Sequence, residues 1–187
     1  MKQIASLLRT AALLLGLGVA SVYAQHFPLA LSFSGTAESS TINLQPGAAS
    51  SEYNLAGSST FGSFTFKEVE ATAVPPGSCP ATNHPYAGAG VFRFEDGSLL
   101  MVNLTQGSDC LQFTSTGPVA HCTRTFQITG GTGRLKNAAG GTIVLTETVL
   151  AVLFDASSNP VLFASTGQMT GAVSGVPAAI AEGEGNR

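Results

Sequence analysis

Charge is scarce in this chain: only 10% of its 187 residues are charged, and tryptophan is missing altogether. Nowhere do lysines or arginines cluster, which removes the electrostatic footprint that nucleic acids and anionic membranes require. Past residue 24 no apolar run is long enough for a membrane helix, and almost nothing repeats with helical period. No Gly-x-Ser-x-Gly elbow leads from a strand into a helix, which argues against a hydrolytic triad of that kind. Gly130–Leu135 (GGTGRL) lacks the lysine and the following helix of a phosphate-binding loop. The cysteines and histidines Cys79, His84, His121 and Cys122 fit no common metal spacing, so neither a metal nor another cofactor is expected.

The apolar run that does occur lies at the N-terminus. Lys2 and Arg9 precede Ala11–Ala20, and Val22-Tyr23-Ala24 offers small residues before Gln25. This is the layout of a secretory signal peptide over residues 1–24, and it predicts a secreted or periplasmic protein. The remaining 163 residues carry 6 basic and 11 acidic side chains, enough chain for one domain with a real core. Beyond Gly175 the composition turns to that of a disordered tail, so the domain is expected over residues 25–174.

Three cysteines entering an oxidising compartment predict a disulfide with one thiol left over. A hairpin turn centred near Thr116 sets Cys110 opposite Cys122, the favoured pair, with Cys79 bridging one of them as the competing case.

What remains is rich in β-branched and aromatic residues punctuated by turns. Strands are expected at Leu29–Thr36, Thr41–Leu44, Ser63–Ala73, Gly90–Glu95, Ser98–Thr105, Cys110–Ser115, Val119–Thr129, Thr142–Asp155 and Val161–Ala172. Asp96-Gly97 reads as a two-residue turn placing Phe94 beside Leu99 and Phe92 beside Met101. Ala37–Thr60 reads as irregular and Val74–Gly90 as a long loop. Consecutive hairpins in an all-β chain point to a single antiparallel up-and-down barrel of about eight strands, with a sandwich as the alternative.

The densest glycine cluster lies between two of these strands, at Ile128–Gly141. Gly130, Gly131, Gly133 and Gly140 mark a structural corner where the chain bends or approaches itself closely. With Ile128, Thr132, Leu135 and Ala138 they form a pattern that resembles the corner of allene oxide cyclases, dirigent proteins and related secreted bacterial barrels. The resemblance implies a calycin-like barrel with a hydrophobic cavity and, if it extends to activity, an isomerase-like enzyme that steers a reactive intermediate. No catalytic residue carries over, because the acidic and asparagine-containing segment of the plant cyclases has no match in Phe27–Leu55.

Pairing strands about this corner sets Ile128 opposite Ile143, Phe126 opposite Leu145 and Arg124 opposite Glu147. The next hairpin sets Leu153 against Leu162 and Glu147 against Gln168. A polar row of Arg124, Glu147 and Gln168 then lies on an apolar face, where an unpaired charge is costly. Such a row is either the polar handle of a ligand cavity or a structural ion pair. Phe92, Phe94, Met101, Phe126, Leu145 and Val149 are the expected cavity wall, although Val91, Val102, Leu104, Val152, Phe154 and Phe163 make the opposite faces apolar too. The acidic pairs Glu68/Glu70 and Glu95/Asp96 read as exposed. The leading expectation is a binder of a small, mostly apolar ligand rather than an enzyme, with an extracellular surface module as a further alternative. Greasy outer faces suggest a homo-oligomer.

Overall fold

The computed structural model describes residues 26–73, 75–84, 86–115 and 117–176. The signal-peptide segment, and all of the expected tail beyond Val176, lie outside these. Ten strands follow in order: β1 (His26–Ser40), β2 (Ala49–Ser59), β3 (Gly62–Thr72), β4 (Gly77–Ser78), β5 (Thr82–His84), β6 (Ala87–Phe94), β7 (Leu99–Thr114), β8 (Gly117–Gly131), β9 (Thr142–Phe154) and β10 (Pro160–Ser174). Eight of them close a ring in the order β1-β2-β3-β6-β7-β8-β9-β10, with β10 returning to β1 and every pairing antiparallel. The expected barrel is therefore present. Short β4 and β5 continue the wall beside the upper half of β7, where β6 has already ended.

Alternation explains the closure. On β3, Phe64, Phe66, Glu68 and Glu70 turn inward while Ser63, Thr65 and Lys67 face out, the period-two pattern of a strand with one buried face. The long core strands leave no unpaired edge among them, which removes the hazard of open sheets.

The two ends of the barrel differ. The hairpins at Thr60-Phe61 and Glu95–Ser98, and the glycine corner, share one end with His26 and Val176. A short 3-10 turn, Gly133–Leu135, plugs this end with fully buried Leu135. Gly133 there has φ 60°, and a Cβ on Gly131 would sit 2.4 Å from the Leu135 carbonyl oxygen, so both positions demand glycine. Gly140 also has positive φ, at 78°. Gly130 is less constrained, meeting only the Met101 methyl at 3.3 Å. Val176 packs into the same core. At the opposite end, the mouth, lie the 41–48 connection, the 73–86 segment and two hairpin tips that expose Phe113, Val152, Leu153 and Phe154.

Several local expectations change. Thr41–Leu44 forms no strand, whereas Ala49–Ser59, within a stretch read as irregular, does. Ser98–Thr105 and Cys110–Ser115 belong to one strand, bent by a bulge between Leu104 and Gln106. The hairpin after β6 holds one more residue in its loop, so Phe92 faces Leu100 rather than Met101. That single step turns Met101 outward, 37% exposed, and removes it from the wall.

Candidate functional site

The apolar half of the barrel is filled. Phe66 stacks on Phe92 with ring centroids 4.2 Å apart, and Phe126 meets Phe66 edge-on at 5.8 Å. Phe92, Phe94, Phe126 and Leu145, expected to line a cavity, are fully buried members of this core. Dense aromatic packing of this kind contributes stability and leaves little room for a guest.

Above it, toward the mouth, the interior becomes polar. Arg124 projects inward from β8 and is only 3% exposed. Its Nε and Nη2 donate to the two carboxylate oxygens of Glu70, the latter at 2.6 Å, and Nη1 donates to Glu147. Nη2 also donates to the Tyr53 hydroxyl oxygen at 2.7 Å, and the guanidinium lies over the Tyr53 ring, 4.9 Å from its centroid. The second Glu147 oxygen accepts from Ser165. Burial works against the charge on Arg124, but Glu70, Tyr53 and Glu147 outweigh it and hold the proton more firmly than usual. Fork-to-carboxylate bonds of this geometry are the strong, orienting kind.

The expected pairing of Arg124 with Glu147 is realised, by a different register. Phe126 stands opposite Ile143, Arg124 opposite Leu145 and Cys122 opposite Glu147. The slip is two residues, so each side chain keeps its face. Gln168 fares otherwise. The β9–β10 turn closes on Asp155 and Asn159, one register step from the expected symmetry, which sets Gly167 opposite Glu147 and turns Gln168 to solvent. Gly167 takes the inward position that Gln168 was expected to fill, and Ser165, two residues before it on the same face, supplies the hydrogen bond to Glu147.

The cysteines also depart from the favoured pairing. Cys110 bridges Cys79, across a sequence separation of 31, and Cys122 is a buried free thiol. The hairpin turn lies one step away from Thr116-centred symmetry, so Cys110 faces His121 and Cys122 faces Asp109. Adjacent register steps point to opposite faces, which separates the two cysteines across the wall. Burial pushes the Cys122 thiol up to about 12, so it is no nucleophile.

Among the described residues four acidic groups occupy the interior, more than the sequence suggested. Glu68 and Glu70 are buried rather than exposed, and Asp109 accepts from the Tyr86 hydroxyl. The other Asp109 oxygen stands 3.6 Å from His84 Nε2, beyond hydrogen-bond reach, and His84 stacks on Tyr86. Neither Glu68 oxygen has a partner among the described residues. Burial, followed by the neighbouring Glu70, raises the Glu68 carboxyl well above the ordinary range. Asp96, by contrast, lies at the plugged end and pairs with Arg134 at 3.2 Å. A signal for the buried acids was present in the sequence: Glu68 and Glu70 continue the alternation begun by Phe64 and Phe66. Tyr86 and Ser165 carried no comparable mark.

Beside this network lies a cavity of about 340 Å³, lined by Gly47, Ala49, Ser51, Glu70, Thr72, Ala73, Pro75 and Pro76. Inward-facing residues of β2 and β3 form its walls, and Glu70 connects it to Arg124. Its volume falls in the range of small-molecule sites. No protein family, curated protein or solved structure matches this chain.

Proposed function

We propose that this protein is a secreted or periplasmic binding barrel that takes a small, mostly apolar molecule at its polar mouth. The carrying observation is the cavity of about 340 Å³ in which Glu70, fixed by Arg124, lines an otherwise neutral, largely apolar surface. A few oriented polar groups in an apolar recess are the general form of a ligand site. The Cys79–Cys110 bridge supports an oxidising compartment. The resemblance of the glycine corner to allene oxide cyclase and dirigent barrels supports the same reading. An isomerase-like form of it is tested by turnover of unsaturated fatty-acid epoxides or phenoxyl radicals.

A second reading, a non-catalytic extracellular module, is favoured by the filled aromatic half of the barrel. Native mass spectrometry of gently purified protein separates the two. A co-purifying apolar molecule that disappears in Ala49→Trp, which fills the recess, supports binding. Protein of bare polypeptide mass that also takes up nothing from a lipid or phenolic mixture supports the module.

A further inference from the structure

The rim of the mouth carries an open strand edge. β8 and β9 pair as far as Val119 and Leu150, while β9 runs on to Phe154. Pro118, with no N–H to donate, stands where β8 would continue the pairing. Residues 151–154 of β9 therefore have β10 on one side and, among the described residues, no paired strand on the other. Pro160 blunts the opposite flank of this ribbon, but no proline or charge interrupts residues 151–154.

Both faces of the ribbon are apolar here. Leu150, Val152 and Phe154 alternate with Leu153 across the strand, and each is between 44% and 58% exposed. Water satisfies the N–H and C=O groups of such an edge but leaves these side chains wet. Lipid covers the side chains but leaves the backbone groups unpaired. Only another β-strand satisfies both.

We infer that this strand is the same segment of a second copy, paired antiparallel about a two-fold axis in a reversible dimer. Charge favours a second copy, because Asp155 is the only charged residue between Val149 and Ala164. Pairing centred between Val152 and Leu153 sets Asp155 level with the partner's Leu150. At about 3.4 Å per residue the two Asp155 carboxylates then stand about 17 Å apart, beyond the screening length of about 8–10 Å. Each copy has one such edge, so pairing consumes it and the assembly closes at two instead of growing into a fibre. Both ends of the described chain, His26 and Val176, lie at the opposite, plugged end, so neither leads into this edge. Four half-exposed side chains offer on the order of a few hundred Å² per copy, less than the about 800 Å² of a standard interface, which makes the dimer weak. The edge stands apart from the cavity against β2 and β3, so the dimer is independent of what that cavity holds.

Sedimentation velocity over about 1–500 µM protein tests this, with an expected dissociation constant of about 10–100 µM. Val152→Lys, which puts a charge on the open edge, is expected to weaken the dimer at least about tenfold. An unchanged circular dichroism melt shows that this variant is folded. Val91→Lys, at an exposed apolar position of the outer wall, is expected to leave the dimer intact. Hydrogen exchange at the two ends of the concentration range is expected to gain protection at residues 151–154. A monomer at every concentration overturns the inference, as does a dimer that Val152→Lys leaves intact or that protects a different segment. A monomer that floats with phosphatidylcholine vesicles, and ceases to in Val152→Lys, overturns it in favour of a lipid contact.

Discussion

Removing the carboxyl of Glu68 while keeping its shape should stabilise the protein, increasingly so as pH rises. The side chain is buried beside Glu70 and Tyr53, and neither oxygen has a partner among the described residues. In the unfolded chain it ionises near the ordinary carboxyl value of 4.5, whereas in the barrel burial and Glu70 hold the proton to well above that. Below the unfolded value both states are protonated, and the folded state keeps its full stability. Above it the unfolded chain gives up a proton that the barrel retains, so stability falls by about 1.4 kcal/mol per pH unit. The loss continues until the folded carboxyl itself ionises. From this group the wild-type protein thus loses stability as pH rises above the unfolded value. Glu68→Gln carries no such proton, and the other acids titrate in both proteins, so the difference isolates one site. The variant's Tm advantage over wild type should therefore widen steadily as pH rises above the unfolded value, by about 2–4 °C for each kcal/mol. Circular dichroism melts at pH 5, 6, 7 and 8 measure it. A Tm difference that stays constant across this range would refute the account, because it would mean that Glu68 titrates alike in the folded and unfolded states.

Other consequences follow from the same interior. Arg124→Met strands Glu70 and Glu147 without their cation and should cost about 3–5 kcal/mol, read by urea denaturation. Replacing Cys79 and Cys110 together by serine opens a link of sequence separation 31 and should cost about 3–4 kcal/mol. In the wild-type protein iodoacetamide should modify only Cys122, and only after unfolding, as mass spectrometry will register. Gly131→Ala, whose Cβ would stand 2.4 Å from a backbone oxygen, should lower Tm by several degrees more than Gly130→Ala, whose nearest neighbour is a flexible methyl. Phe92→Ala should cost about 3–5 kcal/mol whereas Met101→Gln should be nearly neutral, a contrast that follows from which face each occupies.

The barrel itself was legible in the sequence because its signals are local: alternation along each strand, turn residues between strands, and a glycine corner whose steric demands are visible in composition. Register was less legible, since it depends on how many residues each turn absorbs. At the glycine corner the expected pairing slipped by two, an even step, and Arg124 stayed on the same side as Glu147. At the three other hairpins the slip was one. Each odd step reversed a face: Met101 left the wall, Cys110 parted from Cys122, and Gln168 turned outward, leaving Gly167 opposite Glu147. The turn is the physical cause in the last case: it closes on Asp155 and Asn159, the irregularities on either side of Leu162 cancel, and that step persists along β10.

The polar interior was only half legible for a different reason. Acidic residues on a strand are ordinarily exposed, and that prior assigned Glu68 and Glu70 to solvent. Their parity with Phe64 and Phe66 argued the reverse. Parity deserves the greater weight here, since a strand that kept its phenylalanines buried while exposing the acids would need a bulge between Phe66 and Glu68. The β2–β3 and β3–β6 pairings run without interruption through that point. Once the acids are forced inward, a buried arginine becomes a necessity: without Arg124, the Glu70 and Glu147 carboxylates would face each other across a low-dielectric interior. The arginine that the strand pattern placed on an apolar face, and the acids that the same pattern should have placed beside it, are two consequences of one period-two repeat.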